Sequence, residues 1–142
     1  MDNERLLYIE DDEKSADIIL PYLKEKSHTN FNIVQKCTLK KGLDYLKKQC
    51  DEIDTSNIDV ILLDLILPNS KGIDTYKLVA EACPSLPVVI ISEYERMAFD
   101  CVKLGAQDYL IKSDLTGGMV CRSIKYSIER TKLENLKLEA EK

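Results

Sequence analysis

The stretch VILLDLILPNSKG, residues 60–72, sets the unbroken apolar run Val60, Ile61, Leu62, Leu63 directly against a carboxylate, Asp64. A strand with one wet face alternates apolar and polar residues, so a continuous apolar run bounded by turn residues reads as a strand buried on both faces. Similar short runs recur on either side, at residues 6–9, 31–34, 58–63, 86–91 and 108–111. Between them, residues 16–25, 39–49, 73–82 and 96–104 carry apolar side chains at helical spacing with Lys, Glu or Asp opposite. Five strands alternating with helices predict a doubly wound α/β domain, a five-stranded parallel sheet with helices on both faces, because a parallel pair needs a long crossover. Thr38 is placed to cap the second helix and Gly105 to end the fourth, while Pro84 and Pro87 bracket the approach to the fourth strand.

A fifth helix is expected from about residue 115, running past Ile128 into SIERTKLENLKLEAEK, where charges dominate. Residues 1–130 are read as one domain and 131–142 as a helical C-terminal extension, possible lead-in to a further module. Leu133, Leu136 and Ala140 hint at a seam, but two heptads do not establish a coiled coil. The chain has 142 residues, enough for one domain with a core and too few for two. Its 20 basic and 25 acidic residues give a net charge of -5, which disfavours direct contact with nucleic acid or an anionic membrane. Five cysteines, at 37, 50, 83, 101 and 121, are spaced too widely for a C-x-x-C site and read as buried reduced thiols. With no apolar run long enough to span a bilayer, a cytoplasmic location is expected.

Ligands of open parallel sheets bind outside the carboxyl ends of the strands. The ends here bring Glu10, Asp11 and Asp12 from the first strand, Asp64 from the third, Ser92 from the fourth and Lys112 from the fifth. Each has a bland reading alone: a helix cap for the acids, a strand-end hydroxyl for Ser92, a solvated surface lysine for Lys112. Together, crowded carboxylates repel unless a cation joins them. A hard divalent ion suits such oxygens, and Mg²⁺, which keeps several waters, fits a small open site. One carboxylate is then a candidate nucleophile toward a phosphoryl group, with Lys112 and Ser92 meeting its oxygens.

In the segments LLYIEDDE, VILLDLILPNSKG, LPVVIIS and GAQDYLIK the chain resembles the receiver domain of two-component response regulators over nearly its whole length. The resemblance implies the flavodoxin-like strand order 2-1-3-4-5. It implies Asp64 as phosphoacceptor, Asp11 as a direct Mg²⁺ ligand, Glu10 as a ligand through water, and the backbone carbonyl of Ile66 as the remaining protein ligand. Ser92 and Tyr109 would be the switch pair and Lys112 the partner of the phosphoryl group; Tyr109 also reads as a packed strand residue. The implied function is a phosphorelay signalling switch and not an enzyme in its own right, although it assists its own phosphotransfer and dephosphorylation. The implied partners are a histidine kinase or phosphotransfer protein and a fused or separate output domain, with a homodimer possible.

Three features depart from the family pattern. Ser113 follows Lys112 where proline is usual, Glu93 follows Ser92 where a small residue is usual, and the Ser92–Lys112 segment is short. A trimmed or shifted fourth helix is therefore expected, with Glu93 altering the lifetime of the phosphorylated state. The alternative to a phosphoacceptor is a pseudo-receiver that binds partners without phosphorylation. A haloacid-dehalogenase-type phosphohydrolase would need a second acid two residues after Asp64, where Ile66 stands. A nucleotide-binding domain would need a glycine-rich loop after the first strand, which is missing. His28, the only histidine, reads as a surface loop residue.

Overall fold

A computed structural model describes residues 4–24, 31–50, 58–67 and 70–140. Its elements are β1 (Glu4–Ile9), α1 (Glu13–Leu23), β2 (Phe31–Lys36), α2 (Leu39–Cys50), β3 (Val60–Asp64), β4 (Ile66–Leu67), β5 (Ser70–Lys71), α3 (Ile73–Ala82), β6 (Val88–Ser92), α4 (Glu95–Lys103), β7 (Asp108–Ile111) and α5 (Gly117–Ala140). The main sheet runs β2-β1-β3-β6-β7 with every pairing parallel. Setting aside the short antiparallel β4–β5 ribbon, this is the expected 2-1-3-4-5 order. Among the described residues, that ribbon is the one addition to the five expected strands. Two-residue strands lie below what hydrophobic periodicity can register.

The period-2 alternation of strand side chains divides the apolar runs into two cores. Leu7, Ile9, Ile61, Leu63, Val88 and Ile90 face α2, α3 and α4, whereas Leu6, Tyr8, Val60, Leu62, Val89 and Ile91 face α1 and α5. Burial on both faces explains why β3 and β6 read as continuous apolar runs; all five residues of each are buried. Gly42 lets α2 approach β1 closely, since a Cβ there would stand 2.5 Å from Ile9 Cδ1.

Helix ends follow local chemistry. Asp12 caps α1 by accepting from Lys14 N at 3.3 Å, so α1 starts before residue 16, where the apolar spacing begins. Thr38 Oγ1 accepts from Lys41 N at 3.1 Å as expected, and Thr116 Oγ1 accepts from Met119 N at 3.2 Å, starting α5 slightly later than the expected residue 115. Gly105, at φ 126°, ends α4, a nine-residue helix that begins one residue earlier and ends one residue earlier than expected. Arg130 of α5 donates to the Gln107 carbonyl at 3.1 Å, and residues 132–140 beyond it are exposed.

One expectation needs amendment. Cys83, Cys101 and Cys121 are buried, but Cys37 is exposed because it lies in the bend between β2 and α2. The loop reading of His28 lies outside the described residues. Among the described residues, no helix is long and apolar enough to cross a membrane.

Candidate functional site

Parallel register levels the strand ends. Ile9 pairs with Leu63 and Asp64 with Ile91, while Ser92 pairs with Ile111, so Glu10, Asp64, Ser92 and Lys112 arrive at one edge of the sheet. Lys112 stands just beyond β7, as the first residue of a 3-10 turn over Lys112–Asp114. The peptide bonds of the described chain contain no cis form, so the Lys112–Ser113 bond is trans.

The Lys112 ammonium is the hub. It meets Glu10 Oε1 at 2.9 Å and Asp64 Oδ2 at 3.1 Å, and donates to Ser15 Oγ at 3.0 Å. Glu10 and Asp64 are 1% and 4% exposed, so these charges sit in a poorly solvated place where each depends on the other. Asp64 Oδ1 accepts from Ile66 N at 3.1 Å, which turns the chain directly after the strand and fixes the carboxylate plane. Glu10 Oε1 also accepts from the Tyr8 hydroxyl at 3.2 Å, while Glu10 Oε2 is buried without a hydrogen-bond partner.

Burial first, and then the neighbouring Asp64 carboxylate, hold the Glu10 carboxyl well above the usual carboxylate range, with Lys112 pulling the other way. Burial opposes the Lys112 ammonium, but Glu10 and Asp64 outweigh it and raise its pKa. Burial and Glu10 push the Tyr8 phenol up as well.

Glu10, Asp11 and Asp64 each offer a carboxylate oxygen, all within 4.8 Å of one another. Trans ligands of an octahedral ion with bonds of about 2.1 Å stand roughly 4.2 Å apart, so the cluster needs only a small contraction, or one ligand acting through water, to hold such an ion. With all three carboxylates ionised, the form a cation would bind, the cluster carries two negative charges in excess of the Lys112 ammonium, and the unpartnered Glu10 Oε2 is an acceptor still to be met. The residues fit a hard divalent cation.

An open cleft of about 450 Å³ lies over the cluster, lined by Asp11, Asp12, Asp64, Ile66, Ser92, Glu93, Tyr94 and Lys112. Ser92 is 1% exposed and its Oγ accepts from Tyr94 N at 3.0 Å. Of the candidate site residues, Tyr109 stands apart from this group. Its hydroxyl donates to Glu95 Oε1 at 3.2 Å, and its ring lines a surface hollow with Glu95, Phe99 and Lys103 of α4.

Sequence reasoning missed Tyr8, Ser15 and Tyr94. Tyr8 had a signal, since residues i and i+2 of a strand share a face and Glu10 follows it by two. So had Ser15, three residues after the Asp12 cap, where a side chain faces back to the helix start. Tyr94 reaches the cleft through a loop, which carries no periodicity.

The family model of the response regulator receiver domain matches residues 6–116. The chain is 32% identical to the two-component response regulator-like APRR9 of Arabidopsis thaliana, over 76% of this chain and 22% of that protein. It is 27% identical to the regulatory protein VanR of Enterococcus faecium, over 78% of this chain and 44% of that one, so it spans less than half of either relative. A response regulator receiver domain protein from Clostridium thermocellum has the same fold, with a TM-score of 0.73 at 24% identity, covering 92% of this chain and 98% of that one. So has the CheX-CheY-BeF3-Mg complex structure from Borrelia burgdorferi, with a TM-score of 0.69 at 21% identity, covering 84% and 85%. With the extent of the family match, the sheet order and the acids at the strand ends in agreement, this chain belongs to the response regulator receiver domain family.

Proposed function

We propose that this chain is a phosphoacceptor switch in which Asp64 takes a phosphoryl group from a phosphohistidine of a kinase or phosphotransfer protein, with Mg²⁺ bound by Glu10, Asp11 and Asp64. The observation that carries the reading is the Lys112 ammonium held against two buried carboxylates, 2.9 Å from Glu10 and 3.1 Å from Asp64. An Asp64 oxygen attacks phosphorus as the histidine N–P bond breaks; the bond's electron pair stays on the imidazole nitrogen, which regains a proton. Lys112 and the Ser92 hydroxyl meet the oxygens of the transferred group, and the Ile66 N–H keeps the carboxylate aimed. A bound Mg²⁺ would supply further neutralisation of charge on those oxygens, with the Ile66 carbonyl among its ligands. The similar CheX-CheY-BeF3-Mg complex from Borrelia burgdorferi supports the ion choice.

The readout is a population shift. Phosphorylation draws the Ser92 hydroxyl and Lys112 toward a new anion, and Ser92 is bonded to Tyr94, the residue just before α4. Tyr109, tied to Glu95 of the same helix, is positioned to follow. The receiver unit is residues 1–130; residues 131–142, of which 132–140 are exposed helix, are an extension toward an output module, fused or separate, or toward a second copy. The setting is the cytoplasm, and the chain is a signalling module and not a metabolic enzyme.

The test is to incubate the protein with Mg²⁺ and a small-molecule phosphodonor and compare intact mass with that of Asp64→Asn. A phosphoryl adduct is expected on the parent alone. No adduct on the parent, with or without a phosphohistidine donor protein, would replace this reading with that of a pseudo-receiver.

A further inference from the structure

We infer that Ser15, anchored by Asp12, is a positioning residue that aims the Lys112 ammonium, an inference that rests on the phosphoacceptor reading of Asp64. An ammonium has three N–H bonds. Those of Lys112 have one acceptor each: Glu10 Oε1 at 2.9 Å, Ser15 Oγ at 3.0 Å and Asp64 Oδ2 at 3.1 Å. The three come from different parts of the fold: the end of β1, the first turn of α1 and the end of β3.

The Ser15 hydroxyl is not a free rotor. Its single proton goes to Asp12 Oδ2 at 2.8 Å, which leaves its lone pairs for Lys112. Asp12 is itself held by its capping bond from Lys14 N, and Ser15 is 7% exposed. A chain of Asp12, Ser15 and Lys112 thus runs from the start of α1 into the cleft, and Asp12, one place outside the metal cluster, acts through the hydroxyl.

This contact answers a geometrical problem. Lys112 opens a 3-10 turn whose next residue, Ser113, is exposed, and its four-carbon stem has many rotamers. When Asp64 becomes an acyl phosphate, the carboxylate oxygen that Lys112 now meets changes its charge and partners. Glu10 and Ser15 are the two acceptors that do not change, so they hold the ammonium while its third N–H turns to a phosphoryl oxygen. Ser15 does this without adding a negative charge beside the incoming anion.

The test uses beryllium trifluoride with Mg²⁺ as an equilibrium probe of the phosphorylated state, alongside the rate of phosphorylation by a small-molecule donor. Four proteins are compared: the parent, Ser15→Ala, Lys112→Ala and the double variant, each with its melting midpoint and Mg²⁺ affinity. Expected is roughly a tenfold loss of beryllium trifluoride affinity and of rate in Ser15→Ala, the size of one hydrogen bond to a charged group. Mg²⁺ affinity stays at the parent value, and Ser15→Ala adds no further loss of beryllium trifluoride affinity once Lys112 is alanine. An undiminished affinity in Ser15→Ala, or the same loss with and without Lys112, overturns the inference. Asp64→Asn separates the two failures: if it binds the probe like the parent, the phosphoacceptor reading itself is wrong.

Discussion

The two halves of the cleft are held by different kinds of contact. On the β1–β3 side, Glu10 and Asp64 are buried and share one ammonium, Ser15 accepts its third N–H, and Tyr8 donates to Glu10. On the β6–β7 side, Ser92 is bonded to the backbone of a loop residue, and Tyr109 ends in one exposed hydrogen bond to Glu95. Buried charges that depend on one another cannot move singly, since an unpaired one costs several kcal/mol. The Ser92 bond is neutral, contributing about 0.5–1.5 kcal/mol, and the Tyr109 bond to a carboxylate is exposed, so water can replace it. Under the proposed function, the stiff cluster of Glu10, Asp64 and Lys112 would serve the chemistry, and the Ser92 and Tyr109 contacts, which can change partners, would serve the readout.

The strongest way to break that contrast is Lys112→Ala. It leaves two buried carboxylates facing each other, and a loss of about 3 kcal/mol is expected in urea unfolding of the metal-free protein, at the low end of the cost of unpairing a buried ion because Glu10 can take up a proton. Phosphorylation should slow at the same time. A loss under about 1 kcal/mol would mean that this side is no stiffer than the other.

Next in size is the linkage of Mg²⁺ to pH. The Glu10 carboxyl is raised in the folded protein, so the folded state holds that proton more tightly than the unfolded chain does. Glu10's contribution to metal-free stability should therefore be fully present below the ordinary carboxylate value and be lost as pH rises through the raised one. Mg²⁺ binds the ionised form, so its stabilisation should grow over the same window, reaching about 2.7 kcal/mol at one hundred times its dissociation constant. Thermal melts with and without Mg²⁺ at about pH 6 and about pH 9 measure this; an increment larger at the lower pH contradicts it.

On the readout side, Tyr109→Phe should cost about 0.5 kcal/mol and leave the phosphorylation rate unchanged, while altering the response of α4 seen by amide hydrogen exchange. A slowed phosphorylation would show that Tyr109 belongs to the chemistry after all. The smallest effect is expected for Leu133→Glu, within about 0.5 kcal/mol, because Leu133 is 65% exposed on the extension. A larger loss, or a change in sedimentation, would join the extension to a second surface.

Strand segments were legible because burial on both faces leaves long apolar runs, and β7 was matched to the residue. Boundaries slipped where a polar residue decided them: Asp12 starts α1 ahead of the apolar spacing, and Asp64 and Ser92 extend β3 and β6 by one residue beyond their hydrophobic parts. The β4–β5 ribbon escaped because two residues give no period. Residue types at the strand ends pointed to the acidic cluster. The contact of Lys112 with Ser15, far apart along the chain, was out of reach because nothing in either local sequence refers to the other.

The sequence by itself determined which segments are strands, which carboxylates, hydroxyl and ammonium end them, and that those residue types suit a hard cation and a phosphoryl group. These properties follow from local composition and period, which need no knowledge of neighbours. Tertiary structure alone decided the partners: that Lys112 meets Glu10, Ser15 and Asp64 together, that one oxygen of Glu10 is left open, and that Tyr109 faces α4 and not the cleft. Such contacts depend on strand register and on where crossover helices return to the sheet. Parallel pairing of β1, β3, β6 and β7 is what brings the ends of distant segments within hydrogen-bonding distance.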